Sequence, residues 1–125
     1  MQKENVVILG ASDNSSRYSY MAMKLLEEHG HRTILVHPRL KEVEGRQVFE
    51  NLSLAKASNS AIDTLTMYVN PELSSKVADE IIKLAPKRVI FNPGTENSEL
   101  YKKLDEAKIK YEEACTLVLL RTGQY

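Results

Sequence analysis

The sequence has little of what marks secreted, membrane or nucleic-acid-binding proteins. It holds one cysteine in 125 residues, which excludes a disulfide framework. Its 17 basic and 17 acidic residues give a formal net charge of +0, whereas a general nucleic-acid binder needs a basic excess. No apolar run approaches a membrane span, and residues 1–5 lead straight into a predicted strand without a signal peptide. We therefore expect a cytoplasmic protein that binds neither nucleic acid nor membrane.

What is present predicts one α/β domain over residues 1–125. A chain of this length buries roughly two-thirds of its unfolded surface, so it can fold without disulfides or metal. Strands are predicted at about 5–9, 33–36, 64–69 and 88–91, with a fifth from Ile109, and helices at about 18–29 and 97–107. Strands that alternate with helices form right-handed βαβ units around a parallel sheet. The expected fold is a three-layer Rossmann-like fold with a mainly parallel sheet of five or six strands.

Three further segments complete the predicted topology. Asn70-Pro71-Glu72 is a strong helix start, and Leu73, Val77, Ile81 and Leu84 follow on one face of that helix. The connection 38–63 lacks a clean helical period, and Gly45 before Gln47-Val48-Phe49 indicates a turn and a short extra strand. The apolar run 116–120 fits either a strand or a short helix. Long irregular connections in compact domains are often functional.

The segment Val6–Ser12 carries the first functional signal. An apolar strand is followed by Gly10, by small and polar residues through Ser16, and by a helix that begins near Arg17. Backbone N–H groups and the positive end of the helix dipole meet at such a turn and form an anion site. The dinucleotide fingerprint needs three glycines, and Ser12 stands where the second belongs. The segment indicates a phosphorylated small-molecule ligand, with an ordinary βα turn as the alternative.

The carboxyl ends of the predicted strands are polar or turn-forming. They read Gly10-Ala11-Ser12, Val36-His37-Pro38, Val69-Asn70-Pro71 and Asn92-Pro93-Gly94. In a parallel sheet the ligand binds beyond these ends, and NAD-binding domains usually place an acid after the second strand. This chain has Arg39 and Lys41 there instead. Two cations suit a ribose that carries an extra phosphate, as in NADP or coenzyme A, while a solvated basic loop is the alternative.

These residues, taken in order, resemble the small CoA-binding-domain family. Its fold is that of the N-terminal CoA-binding domain of the succinyl-CoA synthetase α subunit. The match covers almost the whole chain, and the residues that carry it are Gly10-Ala11-Ser12, Ser16 to Tyr20, Gly30, Val36-His37-Pro38, Gly45, Ile62-Asp63, Asn92-Pro93-Gly94, Glu96-Asn97 and Cys115. The family commonly has Val-Asn-Pro at 36–38, so His37 departs from the pattern.

The resemblance implies coenzyme A or an acyl-CoA in the cleft. Residues 10–12 would meet the pyrophosphate, Arg17 would reach a phosphate, and residues 37–41 would bracket the adenosine and its 3′-phosphate. Val69 and Asn70 would floor the nucleotide, and residues 92–94 would lie further along the cleft. The expected ligand-binding residues are Gly10, Ala11, Ser12, Ser16, Arg17, Tyr20, Val36, His37, Pro38, Arg39, Lys41, Val69, Asn70, Asn92, Pro93 and Gly94.

No set of catalytic or metal-ligating residues stands out. Ser12, Ser15 and Ser16 have His37 as a conceivable base, but the nucleophile-elbow pattern is missing. We interpret four more polar groups as structural or solvated: His29 and His31 as a solvated helix end, Asp63 as a local cap, Lys87 and Arg88 as solvated cations, and Cys115 as a small buried hydrophobe.

Together with the family resemblance, the sequence predicts a stand-alone protein that holds coenzyme A or an acyl-CoA at the carboxyl ends of parallel strands, without evident catalytic activity of its own. The alternatives are an NADP-dependent reductase and an interaction subunit whose nucleotide cleft is vestigial. A homodimer or another protein partner stays open.

Overall fold

A computed structural model describes residues 2–58 and 61–125. The strands in these ranges are β1 Asn5–Leu9, β2 Arg32–Val36, β3 Glu42–Val43, β4 Arg46–Phe49, β5 Thr64–Met67, β6 Arg88–Phe91 and β7 Lys110–Glu113. The helices are α1 Tyr18–Glu28, α2 Leu52–Ala57, α3 Pro71–Lys76, α4 Ala78–Leu84, α5 Ser98–Glu106 and α6 Thr116–Arg121. No helix in these ranges is long and apolar enough to cross a membrane.

The strands form one sheet in the order β3-β4-β2-β1-β5-β6-β7. Every neighbouring pair is parallel except the β3–β4 hairpin, which is antiparallel. The three-layer α/β fold with a mainly parallel sheet is therefore confirmed. The sheet has seven strands rather than five or six, because β3, only two residues long, pairs with the predicted short strand β4 and extends the edge.

Alternating side chains of the strands supply two apolar layers. Residues such as Val7, Leu65 and Phe91 pack under α2, α4 and α5. The alternate residues, among them Val6 and Ile8, pack under α1 and α6. Helices therefore cover both faces of the sheet, which is the arrangement that buried parallel strands require.

Two regions differ from the sequence prediction, and a third settles a choice between strand and helix that the sequence left open. The helix expected after Asn70 is two helices, because Val77 leaves helical geometry at φ −108° and ψ 17°. Leu73, predicted on the apolar face of that helix, is 48% exposed and lies outside the core. The connection 38–63 holds the unpredicted α2, which Asn51 caps by accepting the Leu54 N–H at 2.9 Å. The open segment 116–120 is helical.

The amino ends of the strands hold a buried polar cluster, so the predicted solvation of His31 and Arg88 is wrong. His31 is 4% exposed, and its Nδ1 accepts the Glu4 N–H at 3.0 Å. Its ring lies 5.0 Å from that of Tyr125, which covers it. The Arg88 guanidinium lies 4.3 Å from the Tyr125 ring centroid, and Arg88 Nε donates to Thr64 Oγ1 at 2.9 Å. Tyr125, which is distant in sequence, therefore covers His31 and Arg88 at the amino ends of the strands.

Other predictions at this end agree with the structure. Asp63 accepts the Asn5 N–H at 2.8 Å, which is the local role expected for it. Lys87, whose side chain is 76% exposed, pairs with Asp63 at 3.1 Å. His29 is exposed at the end of α1.

Burial of His31 makes stability depend on pH. Desolvation lowers the pKa of His31 below its usual value of 6.5, so the folded chain favours the neutral ring. The unfolded chain binds this proton at a higher pH than the folded chain does. The contribution is therefore complete above about 6.5 and is lost as the pH falls through the folded pKa. We expect the melting temperature to drop between pH 7 and pH 5 more steeply than in His31→Asn, which has no titrating ring.

The exposed His29 provides the matched control for this prediction. His29→Asn removes a histidine two residues away, outside the buried cluster. Desolvation is the largest cause of the lowered His31 pKa and the His29 charge a smaller one, so this variant should keep a steeper pH dependence than His31→Asn. Carboxylates titrate over part of the same range, so the comparison rests on the difference between each variant and the parent. Equal profiles for the parent and His31→Asn would show that His31 does not control this loss.

Candidate functional site

A cleft of about 710 Å³ opens at the carboxyl ends of the strands. It lies where β1 and β5 are neighbours and their following helices pack on opposite faces of the sheet. This switch point is the usual ligand position in open parallel sheets. Its wall consists of Leu9, Gly10, Ala11, Ser12, Arg17, Tyr18, Ser19, Val36, His37, Pro38, Arg39, Tyr68, Val69, Asn70, Leu73, Pro93, Gly94 and Thr95.

Most of the residues predicted to bind the ligand lie together in this wall, although the chain separates them by up to 84 positions. They are Gly10, Ala11, Ser12, Arg17, Val36, His37, Pro38, Arg39, Val69, Asn70, Pro93 and Gly94. The parallel order of β2, β1, β5 and β6 brings their carboxyl ends to one edge. The strand order therefore brings these residues together in one cleft.

Three other predicted residues lie outside the wall. The Tyr20 hydroxyl donates to the Glu44 carboxylate and ties α1 to the β3–β4 hairpin. Ser16 Oγ donates to Asn14 Oδ1 at 2.7 Å and stabilises the loop before α1. Lys41 is exposed at the start of the hairpin. These side chains shape or flank the cleft rather than line it.

Asn92, the fourth, is buried beneath the cleft and joins three elements. Its Nδ2 donates to Thr66 Oγ1 at 2.7 Å and to the Met67 carbonyl at 2.8 Å. Its Oδ1 accepts the Thr116 N–H at 2.8 Å. With 3% of its surface exposed, Asn92 holds the ends of β5 and β6 against the start of α6. The structure therefore gives Asn92 a structural role rather than a place in the wall.

The glycine turn after β1 is built differently from the sequence expectation. The N–H groups of Gly10 and Ala11 both donate to the Val36 carbonyl, at 3.1 and 3.2 Å. They join the ends of β1 and β2 and are not directed to a ligand. Gly10 has φ +95°, and a Cβ there would lie 2.9 Å from the Tyr68 carbonyl oxygen. Gly10 is therefore needed for close packing of β1 against the end of β5.

Donors for an anion come instead from the start of α1. Arg17 is the N-cap of this helix and makes no side-chain capping bond. Within residues 2–58 and 61–125, the N–H groups of Tyr18 and Ser19 have no hydrogen-bond acceptor. The loop in front is fixed because Ser12 Oγ accepts the Asn14 N–H at 3.0 Å. Free N–H groups, the helix dipole and the Arg17 charge thus give one side of the cleft a positive potential.

The opposite side is formed by the turn after β2. The His37 N–H donates to the Phe49 carbonyl at 3.0 Å, which fixes the turn against β4. Nδ1 of His37 accepts two backbone N–H groups, from Arg39 at 3.0 Å and from Leu40 at 3.1 Å. The cleft wall contains Arg17 and Arg39 but no aspartate or glutamate. The site is therefore suited to an anionic ligand.

Six wall residues were not predicted from the sequence: Leu9, Tyr18, Ser19, Tyr68, Leu73 and Thr95. Tyr18 and Leu73 are 69% and 48% exposed, so they supply apolar surface to the cleft. Burial raises the pKa of Tyr68 to about 12, which keeps its phenol protonated. Tyr68 follows β5 directly, and its alternation with Thr64 and Thr66 is a sequence signal that places this ring on the same sheet face as α1.

Chemically reactive groups are sparse around the cleft. Cys115 is partly buried at the N-cap of α6 and is not in the wall. Within the described residues, no group of three or more His, Cys, Asp or Glu side chains is placed to hold a metal ion. The chemistry that the wall offers is hydrogen bonding and charge.

The fold and the site define a Rossmann-like domain with a cationic cleft at its switch point. The model of the CoA binding domain family matches residues 4–121, so the chain belongs to that family. This finding agrees with the family resemblance drawn from the sequence. No curated protein sequence matches the chain.

Solved structures share the fold along almost the whole chain. A crystal structure of a protein described as uncharacterized is 38% identical, covers 100% of both chains and has a TM-score of 0.91. A hypothetical protein from Pyrococcus horikoshii OT3 is 29% identical over 96% of this chain and 84% of its own, with a TM-score of 0.82. A conserved hypothetical protein from Pyrococcus furiosus is 26% identical over 92% and 97%, with the same score.

Proposed function

We propose that the protein binds coenzyme A or an acyl-CoA in this cleft and has no catalytic activity of its own. The observation that carries the proposal is the cleft between Arg17 at the uncapped start of α1 and Arg39 after β2. Membership of the CoA binding domain family supports the choice of ligand. We propose that the protein is cytoplasmic. A single cysteine, Cys115, cannot form a disulfide within the chain, which suits a reducing compartment.

The proposed binding mode follows the two positive sides of the cleft. The diphosphate would take the N–H groups at the start of α1 and the Arg17 guanidinium. Arg39 would take the 3′-phosphate on the ribose, because a guanidinium matches phosphate geometry with two N–H donors. Val69 and Asn70 would floor the nucleotide, and the pantetheine arm would extend toward Pro93 and Gly94.

The partners of the two candidate catalytic side chains in the wall, Ser12 and His37, support a binding role over a catalytic one. His37 is the only histidine in the wall, and its Nδ1 is engaged by two backbone N–H groups. Ser12 Oγ is engaged in the loop by the Asn14 N–H. A nucleophile and a base within hydrogen-bond reach of each other are the minimum for acyl transfer, and within residues 2–58 and 61–125 no hydrogen bond joins Ser12 to His37.

The test is a thermal melt with CoA, 3′-dephospho-CoA, NADP and NAD. CoA at 100 times its dissociation constant should stabilise the fold by about 2.7 kcal/mol, a shift of several degrees for a domain of this size. Dephospho-CoA should shift the melt less, because Arg39 loses its target. A larger shift with NADP than with CoA would favour a reductase, and no shift with any ligand would indicate a vestigial cleft.

Two arginines at opposite ends of the fold provide the control. Arg17→Ala should weaken CoA binding about tenfold or more, because a charged hydrogen bond contributes roughly 1.5–3 kcal/mol. Arg32→Ala removes an exposed arginine at the amino end of β2, far from the cleft, and should bind CoA like the parent. Calorimetry measures both dissociation constants. Equal affinity in the two variants would move the diphosphate away from Arg17.

A further inference from the structure

His37 stands at the carboxyl end of β2 with only one of its ring nitrogens used by the protein. Nδ1 accepts the N–H groups of Arg39 and Leu40 at 3.0 and 3.1 Å. A nitrogen that accepts two N–H groups carries no proton, so the ring proton of the neutral imidazole is on Nε2. Within residues 2–58 and 61–125, Nε2 has no hydrogen-bond acceptor, and the residue lines the cleft.

We infer that His37 is the residue that determines specificity for a phosphorylated ribose, with Nε2–H as a donor to an oxygen of the ribose phosphate. The inference rests on the proposed CoA-binding function and deepens it. It assigns the 3′-phosphate two donors, the His37 imidazole and the Arg39 guanidinium, both in the wall of the cleft.

The position of this donor explains the ligand class. An acid at the end of the second strand accepts hydrogen bonds from the ribose hydroxyls of NAD. The proton on Nε2 reverses that polarity, because it needs an acceptor. A phosphate on the ribose supplies acceptor oxygens only, whereas an unmodified ribose offers weaker neutral acceptors. The end of β2 therefore selects ligands that carry a ribose phosphate.

The backbone around His37 holds the donor in place. Its own N–H is bound to the Phe49 carbonyl of β4 at 3.0 Å. Leu40, two residues past Pro38, packs against the apolar residues under α1. The two hydrogen bonds to Nδ1 thus stabilise the turn, and they also fix the orientation of the ring. Donors held in position before binding lose little entropy when the ligand arrives.

Two substitutions separate the role of His37 in stabilising the turn from its role as a donor to the ligand. In His37→Ser a hydroxyl can accept the N–H two residues on, as Ser12 Oγ does for Asn14 in this chain at 3.0 Å. This variant keeps an acceptor for the turn and loses the donor to the ligand. His37→Ala loses both, so it should melt earlier than His37→Ser.

Calorimetry with CoA and 3′-dephospho-CoA provides the decisive measurement. His37→Ser should bind CoA about tenfold more weakly than the parent and bind dephospho-CoA within about twofold of the parent. A role in folding alone would weaken both ligands by the same factor. An equal loss for both ligands, or unchanged affinity for CoA, would overturn the inference.

Nitrogen NMR of the unmodified protein tests the same point without a variant. The ring proton should be found on Nε2 in the free protein, and CoA should shift the Nε2 resonance while dephospho-CoA leaves it nearly unchanged. A proton on Nδ1, or the same shift with both ligands, would refute the assignment. If the parent binds neither ligand, the proposed function fails and the inference with it. If it binds CoA without these signatures, only the role of His37 fails.

Discussion

Alanine at position 10 should destabilise the fold more than alanine at position 94, the other glycine of the cleft wall. The Cβ would lie 2.9 Å from the Tyr68 carbonyl oxygen and 3.0 Å from Val69 Cγ1, and the backbone has φ +95°. The left-handed conformation costs a non-glycine residue about 1–2 kcal/mol, and forced overpacking costs roughly 1–3 kcal/mol more. We therefore expect Gly10→Ala to lower the free energy of unfolding by about 2–5 kcal/mol, measured by denaturant titration.

Gly94 is a matched control for this prediction. It lies in the same cleft with φ +91°, but a Cβ there meets nothing within 4 Å. Gly94→Ala should therefore carry the conformational cost without the clash, about 1–2 kcal/mol. Equal losses in the two variants would mean that backbone conformation, and not the contact between β1 and β5, explains the requirement for Gly10.

The central strands were predictable because their sequence reports burial directly. Val6, Val7 and Ile8 of β1 are fully buried, as are Val89 and Phe91 of β6. Strands covered on both faces become continuous apolar runs with β-branched residues, and few other elements produce that pattern. The bounds of β1 and β6 follow the sequence prediction for this reason.

The edges of the fold were less predictable because their stability comes from distant partners. Arg46 of β4 donates to the Glu27 carboxylate of α1 at 2.6 and 2.7 Å, across 19 residues of chain. This ion pair ties the β3–β4 hairpin to α1, and no local sequence pattern predicts it. The break at Val77 is similar, since a continuous apolar period along 73–84 carries no sign that the backbone leaves the helix there.

In the cleft too, the sequence indicated which residue types lie at the strand ends but not which hydrogen-bond partners they have. Most of the small and polar residues at the strand ends that the sequence predicted to bind the ligand lie together in the cleft wall. It did not reveal that the Gly10 and Ala11 amides are used by the Val36 carbonyl. Nor did it distinguish Asn92, buried under the floor, from Asn70, exposed in the wall. Hydrogen-bond partners decide these roles, and they depend on the three-dimensional register of the strands.

Aspartate at position 12 should abolish most CoA binding while the fold stays intact. Ser12 lies in the cleft wall beside the start of α1, and its Oγ accepts the Asn14 N–H at 3.0 Å. An aspartate can accept the same N–H, so the loop is preserved, but it places a negative charge where we propose the diphosphate. Unit charges about 6 Å apart at an effective dielectric constant of about 20 repel by about 3 kcal/mol. This corresponds to a roughly 100-fold loss of affinity by calorimetry.

Asparagine at the same position separates charge from shape. Ser12→Asn has nearly the size of Ser12→Asp and keeps an oxygen acceptor for the Asn14 N–H, yet it adds no charge. We expect its dissociation constant for CoA to stay within about tenfold of the parent, since one neutral hydrogen bond contributes roughly 0.5–1.5 kcal/mol. The difference in CoA dissociation constant between the two variants should decrease as the salt concentration rises, because exposed charges are screened. Identical affinities for the aspartate and asparagine variants at low salt would place the phosphates away from the start of α1.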